Sequence, residues 1–371
     1  MKYYIIAGEA SGDLHGSNLI RELVKLDHQA SIRAWGGDLM LSAGANVVKH
    51  YKELAFMGFT EVVKNLPTIL DNLKFCKKDI EEYNPDALIL IDYPGFNLRI
   101  AKWAKEKNYK TIFYISPQVW AWKEGRVKTI KKVVDKMLVI LPFEKEFYAK
   151  WNYNVEYVGH PLVQVINEFI DTHSMQPQPA KPIVALLPGS RKQEVAKKLP
   201  LMLEASRSFP QYQFVVAKTS ALDEAFYKSF LTSYNGVQSV FNDTYGLLIR
   251  SKAALVTSGT ATLETALFGV PEVVCYKGSS VSYQIAKRLI HIKYISLVNL
   301  IMDKPVVKEL IQNDLTVHNI VRELDTILHN NNKIEQIKND YNQLKSLLQQ
   351  KGNASAHAAM EIVGFLTNNE K

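Results

Sequence analysis

Short apolar runs recur along the chain, each ending in small or polar residues and each followed by a longer stretch whose apolar positions repeat at helical spacing. In the first half these runs are 3–7, 32–35, 87–91, 111–115 and 137–141; in the second they are 183–187, 214–217, 254–257 and 272–276. Continuous apolar strands need cover on both faces, so the alternation predicts parallel sheets wrapped by helices. A polar, proline-rich stretch divides the scheme. The expected organisation is α/β: two doubly wound parallel-sheet domains facing across a cleft. Their predicted bounds are 1–170 for an N-terminal domain, 171–182 for a linker, 183–345 for a C-terminal domain, and 346–371 for a terminal helix.

Composition fits this picture. The 371 residues suit two domains, and 47% hydrophobic residues can fill two cores. No stretch reaches the ~20 apolar residues that cross a bilayer, and Met1-Lys2-Tyr3-Tyr4 enters a strand without a signal-peptide pattern. Cys76 and Cys275 alone make neither a disulfide framework nor a zinc cluster, so a cytoplasmic location is expected. The net charge of +8 includes a basic cluster of Lys123, Arg126, Lys128, Lys131, Lys132 and Lys136, opposed by Glu124 and Asp135. It reads either as a solvated helix face or as a surface for anionic lipid or phosphorylated substrate. Nucleic acid is disfavoured, because no recognised binding motif accompanies the charge.

Ligands of doubly wound sheets bind at the carboxyl ends of strands. In the first half those ends carry Gly8-Glu9-Ala10-Ser11-Gly12-Asp13-Leu14-His15-Gly16, Asp92-Tyr93-Pro94-Gly95-Phe96-Asn97 and Ser116-Pro117-Gln118-Val119-Trp120-Ala121-Trp122. The glycine spacing is not that of dinucleotide binders, and no P-loop is present. Glu9, Asp13, His15 and Asp92 should gather at one sheet edge, where a carboxylate can take a proton from an attacking hydroxyl. Asp92 is the first candidate base. Asp13 serves equally well as a helix-start residue.

In the second half, Gly189-Ser190-Arg191 offers amides, a hydroxyl and a guanidinium to phosphate oxygens. Ser258-Gly259-Thr260 should open a helix and form an anion site, with Ser258 as its cap and Glu264 free to accept from ribose hydroxyls. No Asp-x-Asp pair exists to hold a divalent metal under a sugar-nucleotide pyrophosphate. These features predict a metal-independent glycosyltransferase of GT-B architecture with a sugar-nucleotide donor.

The same stretches, with Leu141-Pro142-Phe143-Glu144, Gly159-His160-Pro161, Leu187-Pro188-Gly189-Ser190-Arg191, Thr257-Ser258-Gly259-Thr260 and Ser296-Leu297-Val298-Asn299-Leu300, resemble the lipid-A-disaccharide synthase family in order over residues 1 to about 310. Gln164 and Lys123 stand where that family often has aspartate and arginine. The resemblance implies an acylated UDP-sugar donor and an acylated sugar-phosphate acceptor, joined with inversion and release of UDP. It places Arg191, Ser258, Thr260 and Glu264 on UDP, with Asn299 near the nucleotide and Gly189, Ser190 and Gly259 in the same site. Ser11, Gly12, His15, Asn97, Trp120 and His160 are then acceptor or hinge residues, His160 either touching substrate or closing the hinge.

Acylated substrates imply a protein on the cytoplasmic surface of the inner membrane, peripherally bound. Phe56, Met57 and Phe59 in the apolar stretch 54–70, beside Lys128, Lys131 and Lys132, are the expected contacts; a core helix is the alternative for that stretch. The terminal helix should cross back to the first domain or dock on a second subunit in a homodimer. Rival readings are a UDP-sugar 2-epimerase or another GT-B transferase, and a nucleotide-sugar binding protein without turnover.

Overall fold

The computed structural model describes residues 1–54, 66–122, 124–173, 179–220, 222–278, 293–349 and 352–368. It divides into two compact units, Met1–Pro161 with Leu348–Lys371, and Leu162–Leu347.

The first unit carries a seven-stranded sheet: β1 (Lys2–Ala7), β2 (Ser31–Gly36), β3 (Asn46–His50), β4 (Ala87–Ile91), β5 (Thr111–Tyr114), β6 (Lys136–Val139) and β7 (Glu156–Tyr157), ordered β3-β2-β1-β4-β5-β6-β7. Every pairing is parallel. All residues of β4 and β5 are buried, as a strand covered on both faces requires. Gly12 lets the helix Ala10–Leu26 lie close on β1, since a Cβ there would sit 3.0 Å from that of Ala7.

One buried polar network ties the sheet to the helix Leu66–Tyr83. Tyr4 donates to Asp79 at 2.6 Å, Trp35 Nε1 donates to the Tyr4 oxygen at 2.9 Å, and Arg33 Nε reaches Asp79 at 2.9 Å. Asp79→Ala leaves the Arg33 guanidinium and the Tyr4 hydroxyl without their acceptor. A loss of about 3 kcal/mol is expected in urea unfolding at neutral pH.

The second unit holds six parallel strands: β8 (Ile183–Leu187), β9 (Gln213–Lys218), β10 (Gln238–Phe241), β11 (Ser251–Thr257), β12 (Glu272–Tyr276) and β13 (Lys308–Ile311), ordered β10-β9-β8-β11-β12-β13. Here too the order reverses once, between β8 and β11, as it does between β1 and β4 in the first sheet.

Three expectations are corrected. The unit boundary falls at Pro161 and Leu162, because the helix Pro161–His173 joins the second unit through Phe169, whose ring packs on Tyr245 and Phe268. Residues 171–173, expected in the linker, are the last turn of that helix. The returning segment starts at Leu348 rather than at 346. Its helix Ala354–Asn368 packs against the helix Ala10–Leu26, burying Ala354, Ala358, Ala359, Ile362 and Leu366.

Among the described residues, no helix is long and apolar enough to cross a membrane. Phe56, Met57 and Phe59 lie outside the described residues. Lys128, Lys131 and Lys132 are exposed on the helix Val127–Val133, which buries Val127, Ile130 and Val133. Lys136 leaves the expected basic cluster, being paired with Glu361 of the returning helix at 2.6 Å.

Candidate active site

Gly8 and Glu9 follow β1, and Asp92 and Tyr93 follow β4, so both pairs stand where the strand order of the first sheet reverses. The backbone there is strained. Asp92 and Tyr93 are left-handed, with φ of 44° and 47°, and Ile115, at the end of β5, has φ of 65°. For side-chain-bearing residues such a conformation costs on the order of 1–3 kcal/mol and persists only where the surroundings impose it. Two contacts impose it here. Asn97 donates its amide to the carbonyls of Asp92 at 2.8 Å and Ile91 at 3.2 Å, pinning the turn from below. The Tyr93 ring lies over Gly8, where any Cβ would meet it at 2.4 Å.

The Asp92 carboxyl is pushed up to about 6, first by burial and then by the negative charge of Glu9. Glu9 itself is exposed at the start of the helix Ala10–Leu26. One carboxyl is therefore held near neutrality beside a second, solvated one. Asp92 suits proton removal at physiological pH.

Asp13 has a different task. Both its oxygens accept from backbone amides, those of Gly37 at 2.7 Å, Met40 at 3.1 Å and Leu39 at 3.2 Å, so it caps the short helix Asp38–Ser42. This replaces its expected place among the bases. Gly12 is packed against β1 and Asn97 is fully buried beneath the turn, so both of these expected acceptor or hinge residues belong to the framework of the strand ends. Ser11 is exposed, and Trp120 is buried edge-on against Phe143, ring centroids 5.0 Å apart. His15 and His160 are buried, and burial lowers their imidazoles to about 4 and about 3; a proton on His15 would lower His160 further. The His160 amide donates to the Leu348 carbonyl at 3.3 Å, closing the first unit on its returning segment.

In the second unit, Gly189 follows β8 and Gly259 follows β11, the two strands at the reversal. Their φ values, 113° and 141°, are ones that side-chain-bearing residues rarely adopt. Ser190 and Arg191 are exposed, and the Arg191 guanidinium lies 3.6 Å from the Glu194 carboxylate. Gly259, not Ser258, precedes the helix Thr260–Leu267; the Ser258 hydroxyl instead donates to the Ile295 carbonyl at 2.8 Å. Glu264 is not free either. Its carboxyl accepts from the Tyr245 hydroxyl at 2.8 Å, and burial raises its pKa while that bond lowers it. Asn299, expected near the nucleotide, is buried with its side chain engaged by Val307 and Glu309.

Several residues that carried no signal in the sequence complete this edge. Glu309 accepts from the Ile295 and Ser296 amides and from Asn299, fixing the loop that Ser258 binds. Lys198, 2% exposed, donates to the Thr257 hydroxyl at the end of β11, and its ammonium lies 3.8 Å from Glu194. Glu194 was readable as the i+3 neighbour of Arg191; Lys198 and Glu309 showed no pattern that separates them from surface charges.

Two doubly wound parallel-sheet units, with positive-φ glycine turns at the strand reversal of one and two carboxyls after the strands at the reversal of the other, define the GT-B class. Solved structures share the fold. The UDP-GlcNAc 2-epimerase from Neisseria meningitidis bound to UDP-GlcNAc is similar at a TM-score of 0.69 and 13% identity, covering 98% of this chain and 100% of that one. The calicheamicin glycosyltransferase is similar at 0.62 and 15%, covering 100% and 99%. Sequence narrows the class. The chain belongs to the lipid-A-disaccharide synthetase family, whose model matches residues 3–363. A lipid-A-disaccharide synthase of Syntrophus aciditrophicus (strain SB) is 39% identical over 370 residues, 96% of each chain. The protein is a glycosyltransferase.

Proposed function

We propose that the enzyme joins UDP-2,3-diacylglucosamine to 2,3-diacylglucosamine 1-phosphate, forming a β-1,6-linked disaccharide 1-phosphate and UDP. The acceptor 6-hydroxyl attacks the anomeric carbon of the donor from the face opposite UDP. A carbon–oxygen bond forms there as the bond to the UDP oxygen breaks, and Asp92 takes the hydroxyl proton. The reading of Asp92 as base is carried by its position at the first sheet's reversal, with its carboxyl held near 6. Glu9 supports that poise by its charge.

Arg191 and the amides around Gly189 and Gly259 receive the diphosphate, whose departing charge they stabilise without a metal. Glu264, shared with Tyr245, turns its second oxygen to the ribose. Purified protein mixed with both acylated substrates should yield a disaccharide by mass spectrometry, at the same rate in excess chelator. Release of UDP and a free epimerised sugar without acceptor would identify the epimerase instead.

The acylated substrates call for a peripheral station on the inner membrane, and the exposed Lys128, Lys131 and Lys132 face supplies charge for it. Sedimentation with anionic vesicles should fall when the three are changed to Glu. Equal sedimentation of the variant would remove this face from the membrane contact.

A further inference from the structure

The least expected group in the second unit is the ammonium of Lys198, almost wholly enclosed in the helix Lys192–Ser206 and directed at the carboxyl edge of the sheet. Its Nζ donates to Thr257, the last residue of β11, and lies 3.5 Å from where a Cβ on Gly189 would stand. One buried cation therefore underlies both glycine turns. Glu194 stands between it and Arg191, one oxygen 3.8 Å from the ammonium and the other 3.6 Å from the guanidinium.

Burying an ammonium is costly unless it is paired and hydrogen-bonded, and a single half-buried carboxylate shared with an arginine compensates it only in part. A core position of this kind is met more cheaply by leucine or methionine. The charge has a use if an anion visits the turns above it.

Resting on the donor reading given above, we propose that Lys198 is a positioning residue for the donor diphosphate. It fixes Thr257 and the turn that follows, and it holds part of the Glu194 charge so that Arg191 can face phosphate. Burial lowers the amine from its ordinary pKa, and an anion placed above it would favour the charged form.

The test compares UDP with uridine, which lacks the diphosphate, by titration of the full-length enzyme. Lys198→Met preserves the length of a buried side chain while removing the charge. UDP should bind roughly tenfold more weakly, the scale of one unit charge acting across several ångströms of partly buried protein. Uridine affinity, measured by competition, should be unchanged, and the melting temperature should not fall. If Lys198→Met does not fold, Lys198→Gln keeps a donor for Thr257 without the charge and should show the same selective loss. Lys198→Arg should recover UDP binding to within a few-fold of wild type. Wild-type UDP affinity in the uncharged variant, or equal losses for UDP and uridine, would overturn the proposal. A wild-type enzyme that binds no UDP would overturn the donor reading along with it.

Discussion

Asp92→Asn is expected to reduce turnover roughly 10²-fold or more, the scale of a lost general base, while making the protein harder to melt. The two effects share one cause. Folding raises this carboxyl from its ordinary 3.8 to about 6, so the folded chain binds its proton more tightly than the unfolded chain does. The stabilising contribution is full below about pH 4 and lost as pH rises through about 6. At neutral pH the ionised, enclosed carboxylate is a cost, and each tenfold gain in proton affinity on folding corresponds to about 1.4 kcal/mol. An amide of the same shape removes up to about 3 kcal/mol of that cost. In the wild type, kcat/KM should rise through a pKa near 6 and level off above it. A variant with wild-type turnover would pass the role of base to Glu9. A variant of lower melting temperature would show that the Asp92 carboxylate stabilises its turn.

Deleting residues from Gly352 onward should prevent the first unit from folding while leaving the second able to bind UDP. The returning helix buries Ile362 and Leu366 with three alanines, and Lys136 loses its partner Glu361 when the helix is removed. Full burial of an Ile or Leu side chain contributes about 1.5–3 kcal/mol. Two of them, with the alanines and the exposed face of the helix Ala10–Leu26, approach the about 5–15 kcal/mol that stabilises an ordinary domain. Limited proteolysis should reduce the truncated chain to a fragment near 162–347 that still titrates with UDP. Melting and turnover equal to the full chain would show the returning helix to be dispensable.

The nine strands read from the apolar pattern are all present, and the four that were missed, β3, β7, β10 and β13, are the edges of the two sheets. The reason is physical. An interior parallel strand is covered on both faces and needs an unbroken apolar run, whereas Asn46–His50, Gln238–Phe241 and Lys308–Ile311 are largely half-buried or exposed and carry lysine, glutamine and histidine. The site divides in a similar way. Residues immediately after interior strands, such as Glu9, Asp92, Gly189 and Arg191, were legible because chain order puts them on the carboxyl edge.

Which of those residues face outward was not legible. Asp13, Asn97 and Asn299 have the chemistry of ligands, but their partners are amides and carbonyls brought in from 24, six and eight residues away. Lys198 and Glu309 come from the middle of a helix and from an edge strand, where a charged residue normally means solvent. Only the packed sheet shows them turned inward.

The first unit is assembled from both ends of the chain, with the second lying whole between its parts. A ribosome therefore releases the second unit in finished form once Leu347 has emerged, while the first still lacks its closing helix. Order of synthesis and order of completion are reversed. During that interval the face of the helix Ala10–Leu26 that will receive Ala354–Asn368 is uncovered, and the earliest part of the nascent chain is the last to become resistant to aggregation and to chaperone capture.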